Sequence, residues 1–329
     1  MLRFDRSLVM NVSLCLLAGL FSFVHADTEQ NASLPVFVVL RGQDMNRLDE
    51  FVACPNISGI TLYFGWSVIE PKPGVYDFSR VISSIEKANV HGKKVNLAIL
   101  PGRWSPAAVL QTARTMHWQQ KDTYVENNPG SSATAPVPWD PVYMDEFSKA
   151  IAALGNAVKD ERLNSVAITG GGNTNGIEMD FIGSDTDLQR VNFNTTSYVA
   201  AWRHFVDAYA TAFPTQTLTL AVHNQFGRST NQEIPQQIEG YARQRLGPRF
   251  FPTAFAFTGA HWFERGNPYV DLLLQYQQNN HFGLQALKIY SKSNDAGGFQ
   301  QMINKARQLQ PAWLEVWPED VRPGYWQCK

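Results

Sequence analysis

Apolar residues along this chain fall into short β-rich runs, separated by longer stretches whose apolar positions recur every three to four residues. Eight runs stand out: "VFVVLRG" at 36, "ISGITLYFGW" at 57, "KVNLAIL" at 94, "SVAITGG" at 165, "LTLAVHNQ" at 218, "TAFAFTGAHW" at 253, "FGLQALKIY" at 282 and "AWLEVW" at 312. Between them, "SRVISSIEKANVHGK", "MDEFSKAIAALGNAVKD", "TSYVAAWRHFVDAYATAF" and "GGFQQMINKARQLQ" carry the helical period. Strand and helix alternating through the whole length argue for a parallel sheet covered by helices, and eight such units suggest a closed α/β barrel, a single (β/α)8 TIM barrel. A doubly wound open sheet is the competitor. No G-x-G-x-x-G follows the first strand, so a dinucleotide site has no support.

The first 26 residues do not share this pattern. Arg3 and Arg6 precede an apolar run from Leu8 to Val24, and Val24-His25-Ala26 offers a signal-peptidase site. The run is short for a span of about 20 apolar residues and contains Asn11 and Ser13, so cleavage after Ala26 and release to the periplasm or the exterior is expected, without stable membrane insertion. Residues 27–329 then form the barrel domain. This part keeps two of the three cysteines, Cys54 and Cys328, and an exported chain with an even count invites a bridge between them. Barrel closure favours it: the last strand pairs with the first, which returns the C-terminal tail to the segment entering strand two.

A barrel places its function at the C-terminal ends of the strands. Trp66, Trp104, Trp139, Trp262 and Trp317 all fall there in the sequence, with the polar residues Glu70, His223, Asn224, Gln225, His261, Gln285 and Glu315 at the same level. Singly, each tryptophan could simply fill the core. As a set at one rim they suit stacking against the apolar faces of sugar rings, in a cleft with a few directed polar groups. The long third loop, residues 101 to 141, is expected to form part of its wall. With a net charge of −1 and 17% charged residues, the chain gives no electrostatic case for nucleic acid. Its seven histidines show no H-E-x-x-H, the cysteines no C-x-x-C, and neither a G-x-S-x-G elbow nor a phosphate-binding P-loop occurs, so no metal or cofactor is expected.

The segment "GWSVIEPKPGVYDFSRVISSIEKANVHGKKVNLAI" resembles the second-strand region of (β/α)8 glycoside hydrolases, especially family 42 β-galactosidases, family 14 β-amylases and cellulase-like members. "VPWDPVYMDEFSKAIAALG" followed by "VAITGGGNTNGIEM" is similar to their approach to the fourth strand, and the likeness is best over residues 57 to 181. It implies that Glu178 is the general acid/base on an oligo- or polysaccharide. Independently of it, a glycine turn can bring backbone close to a ligand while leaving the next side chain at a strand mouth.

The chain departs from the resemblance where those enzymes carry a second glutamate on the seventh strand, for this sequence has Gln285. Glutamine cannot act as nucleophile or base. Glu315 on the eighth strand is the nearest substitute, with Glu264 as second choice, and Glu315 could equally be a ligand contact or a strut. Asp77 is expected to cap a helix and Glu70 to support the barrel mouth. A non-catalytic carbohydrate-binding protein on the same scaffold remains the alternative, decided by whether a second carboxylate lies in reach of Glu178.

Overall fold

The computed structural model describes residues 34–119, 132–158, 162–179, 181, 183–222, 233–260 and 263–328. Ten strands occur among them: β1 (Val36–Arg41), β2 (Gly59–Gly65), β3 (Lys94–Leu100), β4 (Thr115–Gln119), β5 (Ser132–Pro136), β6 (Leu163–Ala167), β7 (Leu218–Ala221), β8 (Phe250–Phe257), β9 (Gly283–Ala286) and β10 (Trp313–Val316). Ten helices accompany them: α1 (Leu48–Val52), α2 (Trp66–Ile69), α3 (Ser79–Val90), α4 (Ala107–Thr112), α5 (Pro141–Ala157), α6 (Asp185–Arg190), α7 (Thr195–Ala212), α8 (Glu233–Leu246), α9 (Pro268–Leu274) and α10 (Ala296–Leu309).

Eight strands close a parallel barrel in the order β1-β10-β9-β8-β7-β6-β3-β2, and these are the eight apolar runs of the sequence. The seam is sealed at Val38, which lies beside Val316 of β10 and Ile60 of β2. Strands covered on both faces must be apolar on both, and Val36–Leu40 are correspondingly all buried. Three of the longer helices, α5, α7 and α10, start where a side chain satisfies their first N–H groups. Asp140 accepts from Val142 and Tyr143 at α5, Asn194 from Ser197 at α7 and Asp295 from Gly298 at α10. Asp77 accepts from the Ser79 N–H at the start of α3, 2.9 Å away, as the sequence leads one to expect.

The segment from 101 to 141 supplies Trp104 to the cleft described below, but it is more structured than the loop read in the sequence: it holds α4 and an antiparallel hairpin, β4–β5, that forms a two-stranded sheet of its own. "TMHWQ" and "SATAP" are too short and too mixed in polarity to announce themselves, and they acquire strand geometry only by pairing with each other.

After β10 the described chain makes one short 3-10 turn, Pro318–Asp320, and then runs as a tail. Tyr325 packs edge-on against Phe299 of α10, and Trp326 donates its indole N–H to the Asn56 carbonyl. Asn56 in turn donates to the Gln327 carbonyl, and Cys328 is bonded to Cys54 with Cα atoms 4.9 Å apart. Among the described residues no helix is long and apolar enough to cross a membrane. The apolar run at 8 to 24 lies outside them.

Candidate active site

β6 is the fourth barrel strand, and the chain leaving it carries the three consecutive glycines and Glu178. The glycines there are a packing requirement. A Cβ at Gly170 would collide with the Phe205 ring and one at Gly171 with Trp202, both on α7, while Gly176 has φ +74° and sits against Pro101. The close approach is therefore to helix and neighbouring loop, where the sequence reading had a ligand. Around these contacts the turn is clamped from all sides. Gly170 N–H donates to the Gly176 carbonyl at 2.7 Å, Tyr143 of α5 donates to the Gly170 carbonyl at 2.7 Å, and Arg103 N–H donates to the Thr174 carbonyl at 3.1 Å. The β4–β5 hairpin contributes Met116, whose sulfur accepts from buried Asn173 at 3.8 Å.

Asn175 sets the direction of Glu178. Its carbonyl oxygen accepts from the Ile177 and Glu178 N–H groups, and its Nδ2 donates to Glu178 Oε2 at 2.9 Å. Glu178 itself bridges to Ala221 at the end of β7 and is partly buried. Its charge is felt by two phenols, Tyr63 of β2 and Tyr269 of α9. The Tyr269 hydroxyl is buried and has no hydrogen-bond partner among the described residues, and burial, followed by Glu178, raises its pKa.

Glu315 lies inside the barrel, 4% exposed, with its carboxylate used up by donors. Thr61 Oγ1 donates to Oε1 at 2.7 Å, Asn96 Nδ2 to Oε1 at 2.9 Å and Gln285 Nε2 to Oε2 at 2.7 Å. Asn96 is oriented in turn by Ser165 and Asn164, which donate to its Oδ1 at 2.7 and 2.8 Å. Burial raises the Glu315 pKa, and the hydrogen bonds from Thr61, Gln285, Asn96 and Trp313 work against that rise. Gln285 also donates to the Tyr63 hydroxyl at 2.7 Å. Tyr63 is the member of this set that sequence reasoning missed: within "ITLYFGW" nothing marks it off from the apolar residues around it.

A cleft of about 320 Å³ opens beside Tyr63 at the C-terminal ends of β1, β2 and β3, lined by Arg41, Asp44, Arg80 and Trp104 among others. Trp104 forms one wall with the Arg103 guanidinium 4.2 Å over its ring, and Trp317 lies under the Arg41 guanidinium at 5.0 Å. Trp317 is nearly buried and donates its indole N–H to the Ala286 carbonyl. Burial, reinforced by Glu319, pushes the Asp44 pKa up.

Two of the expected stacking platforms lie elsewhere. Trp66 is fully buried against Tyr143 and Phe147 of α5, with its indole N–H donated to Glu70 at 2.6 Å. Trp139 packs among Phe181, Phe193 and Tyr198. Both satisfy an outer helix layer that has large gaps to fill, which position after a strand does not distinguish from a rim. Glu70, 3% exposed, also accepts from the Gly74 N–H at 2.8 Å and so ties down the loop after α2. Glu264 is an exposed surface carboxylate 3.7 Å from Lys305. His223, Asn224, Gln225, His261 and Trp262 lie outside the described residues. Among the described residues no group of His, Cys, Asp and Glu is arranged to hold a metal ion.

No protein-family model and no curated protein matches the amino-acid sequence. Solved structures do match the fold. The catalytic domain of a β-amylase from Paenibacillus polymyxa aligns with 86% of this chain and 91% of its own length, at 10% identity and a TM-score of 0.54. A psychrophilic family 10 endo-β-1,4-xylanase covers 87% and 86% at 11% identity and 0.52, and a xylanase from Paenibacillus barcinonensis 87% and 84% at 10% identity and 0.51. The shared fold is the closed (β/α)8 barrel. Identity near 10% carries the path of the backbone and leaves the roles of individual side chains to be argued from their surroundings.

Proposed function

We propose that this protein is an exported glycoside hydrolase that cleaves an O-glycosidic bond with Glu178 as the proton donor. The observation that carries this reading is the way Glu178 is held: a partly buried carboxyl at the mouth of the fourth barrel strand, oriented by the Asn175 side chain and bridged to the end of β7. A carboxylic acid so placed can give its proton to a leaving oxygen, and the turn beneath it is too tightly packed to let it drift. The fold shared with a β-amylase and two xylanases supports a saccharide as the reactant. Trp104 and the cleft at the ends of β1 to β3 supply an aromatic wall for it.

Glycosidic cleavage needs a second carboxylate as nucleophile or base. Glu315 stands where the sequence suggested one, but each of its oxygens already accepts within the barrel, which favours the role of strut. That observation supports the second reading, a saccharide-binding protein without turnover. A panel of polysaccharides and aryl glycosides offered to the mature chain separates the two. On the catalytic reading Glu178→Gln lowers kcat by roughly 10²-fold or more and leaves KM near wild type, since the amide keeps the shape without the acid. Binding without hydrolysis in the wild type selects the second reading, and an active Glu178→Gln variant removes the mechanism.

A further inference from the structure

The buried polar chain that ends at Tyr63 has a direction, and the direction has a terminus. An ionised Glu315 can only accept, so the amide nitrogen of Gln285 faces it, and the same nitrogen donates its other hydrogen to Tyr63 Oη. The phenol therefore receives a hydrogen bond from within the barrel, and its own hydrogen is not needed there. Tyr63 has no second hydrogen-bond partner among the described residues, and its residue lines the cleft shared with Arg41 and Trp104. Thr61, Asn96, Ser165 and Asn164 complete the support from the other side, all donating toward Glu315 or toward the side chain that holds it.

The geometry points to Tyr63 as a substrate-contacting hydrogen-bond donor, with Glu315 and Gln285 as positioning residues that act through it. The group it serves is a hydroxyl or ring oxygen of a sugar bound in the cleft that Tyr63 shares with Arg41 and Trp104. The identity of that ligand rests on the saccharide reading given above; the relay does not. Glu315 is thus used indirectly: its negative charge fixes the Gln285 amide, and the amide fixes which way the phenol gives its hydrogen.

The test compares the mature wild-type chain with Tyr63→Phe, Gln285→Met and the double variant, on whichever members of a xylo-, cello-, manno- and malto-oligosaccharide panel the wild type binds or cleaves. Tyr63→Phe is expected to lower kcat/KM, or the association constant, by roughly tenfold, the size of one lost neutral hydrogen bond. Gln285→Met is expected to do the same, and the double variant no worse than either, since both remove one interaction. A Tyr63→Phe variant within about twofold of wild type, or two losses that multiply, overturns the assignment. Should Gln285→Met fail to fold, Tyr63→Phe decides alone, because only a hydroxyl is removed from an intact ring. A second readout needs no sugar: in protein labelled at tyrosine ¹³Cζ, the Tyr63 signal should remain un-ionised through the pH range where exposed tyrosines titrate and should shift in Gln285→Met. Ordinary titration, or no shift, overturns the relay. A wild type that engages no saccharide overturns the carbohydrate reading and the ligand given to Tyr63, while the labelled signal still judges the relay.

Discussion

Asn175 and Glu70 show how differently a polar side chain can matter at the scale of one residue. Asn175 binds two backbone N–H groups with one atom and the Glu178 carboxylate with another. Its replacement by alanine should lower kcat by roughly tenfold with KM little changed, because positioning is lost while the acid remains. Steady-state kinetics on an active substrate checks this. Glu70 holds Trp66 and the Gly74 amide and lies away from the cleft. Glu70→Ala should cost about 2 to 3 kcal/mol in urea unfolding, the worth of hydrogen bonds to a buried charge, with kcat/KM preserved in the folded fraction. Glu70 was legible in the sequence as support, whereas nothing in the stretch after the glycines singled out Asn175. Trp66 and Trp139 were legible as large aromatics near strand ends but not as helix-layer filling, since burial depends on which neighbours arrive from far along the chain. Tyr63 was illegible for the opposite reason: a polar tip inside an apolar strand reads as more strand.

Whole elements were the easiest features to read. All eight barrel strands follow from short, β-rich, largely apolar runs, and α3, α5, α7 and α10 from their period. The β4–β5 hairpin was not readable, because its stability comes from pairing and from Met116 beneath the Glu178 turn. The start of α10 yields a pH prediction. Asp295 caps it, and hydrogen bonds from Lys288 and from the Gly298 N–H lower its pKa below the ordinary 3.8. A depressed carboxyl contributes stability above its unfolded pKa and loses it as pH falls through the folded value. Asp295→Ala should therefore cost about 1 kcal/mol near neutral pH, and the difference from wild type should narrow at acid pH, below the ordinary carboxylate range. Thermal melts at the two pH values test the sign.

At the scale of the molecule, the barrel's last strand is followed by the short turn and the tail to Cys328, and the tail is fastened to the segment entering β2. The Cys54–Cys328 bond holds it there. Cys54→Ser with Cys328→Ser should lower stability by up to about 5 kcal/mol in denaturant, the chain-entropy value for so long a loop. The proposed export belongs to the same scale, since such a bond persists in oxidising compartments. The intact mass of the exported protein should correspond to a chain beginning at Asp27, and a mass that retains the apolar run at 8 to 24 would contradict it. The bond also changes what a cut in the chain means. With its two cysteines 274 positions apart in sequence, nearly the whole barrel is one covalent ring. A protease that nicks a single peptide bond anywhere inside that ring opens it without releasing a fragment. The nicked molecule should run as one band on a gel without reductant and as two with it, so damage to this protein would go unseen until its thiols are freed.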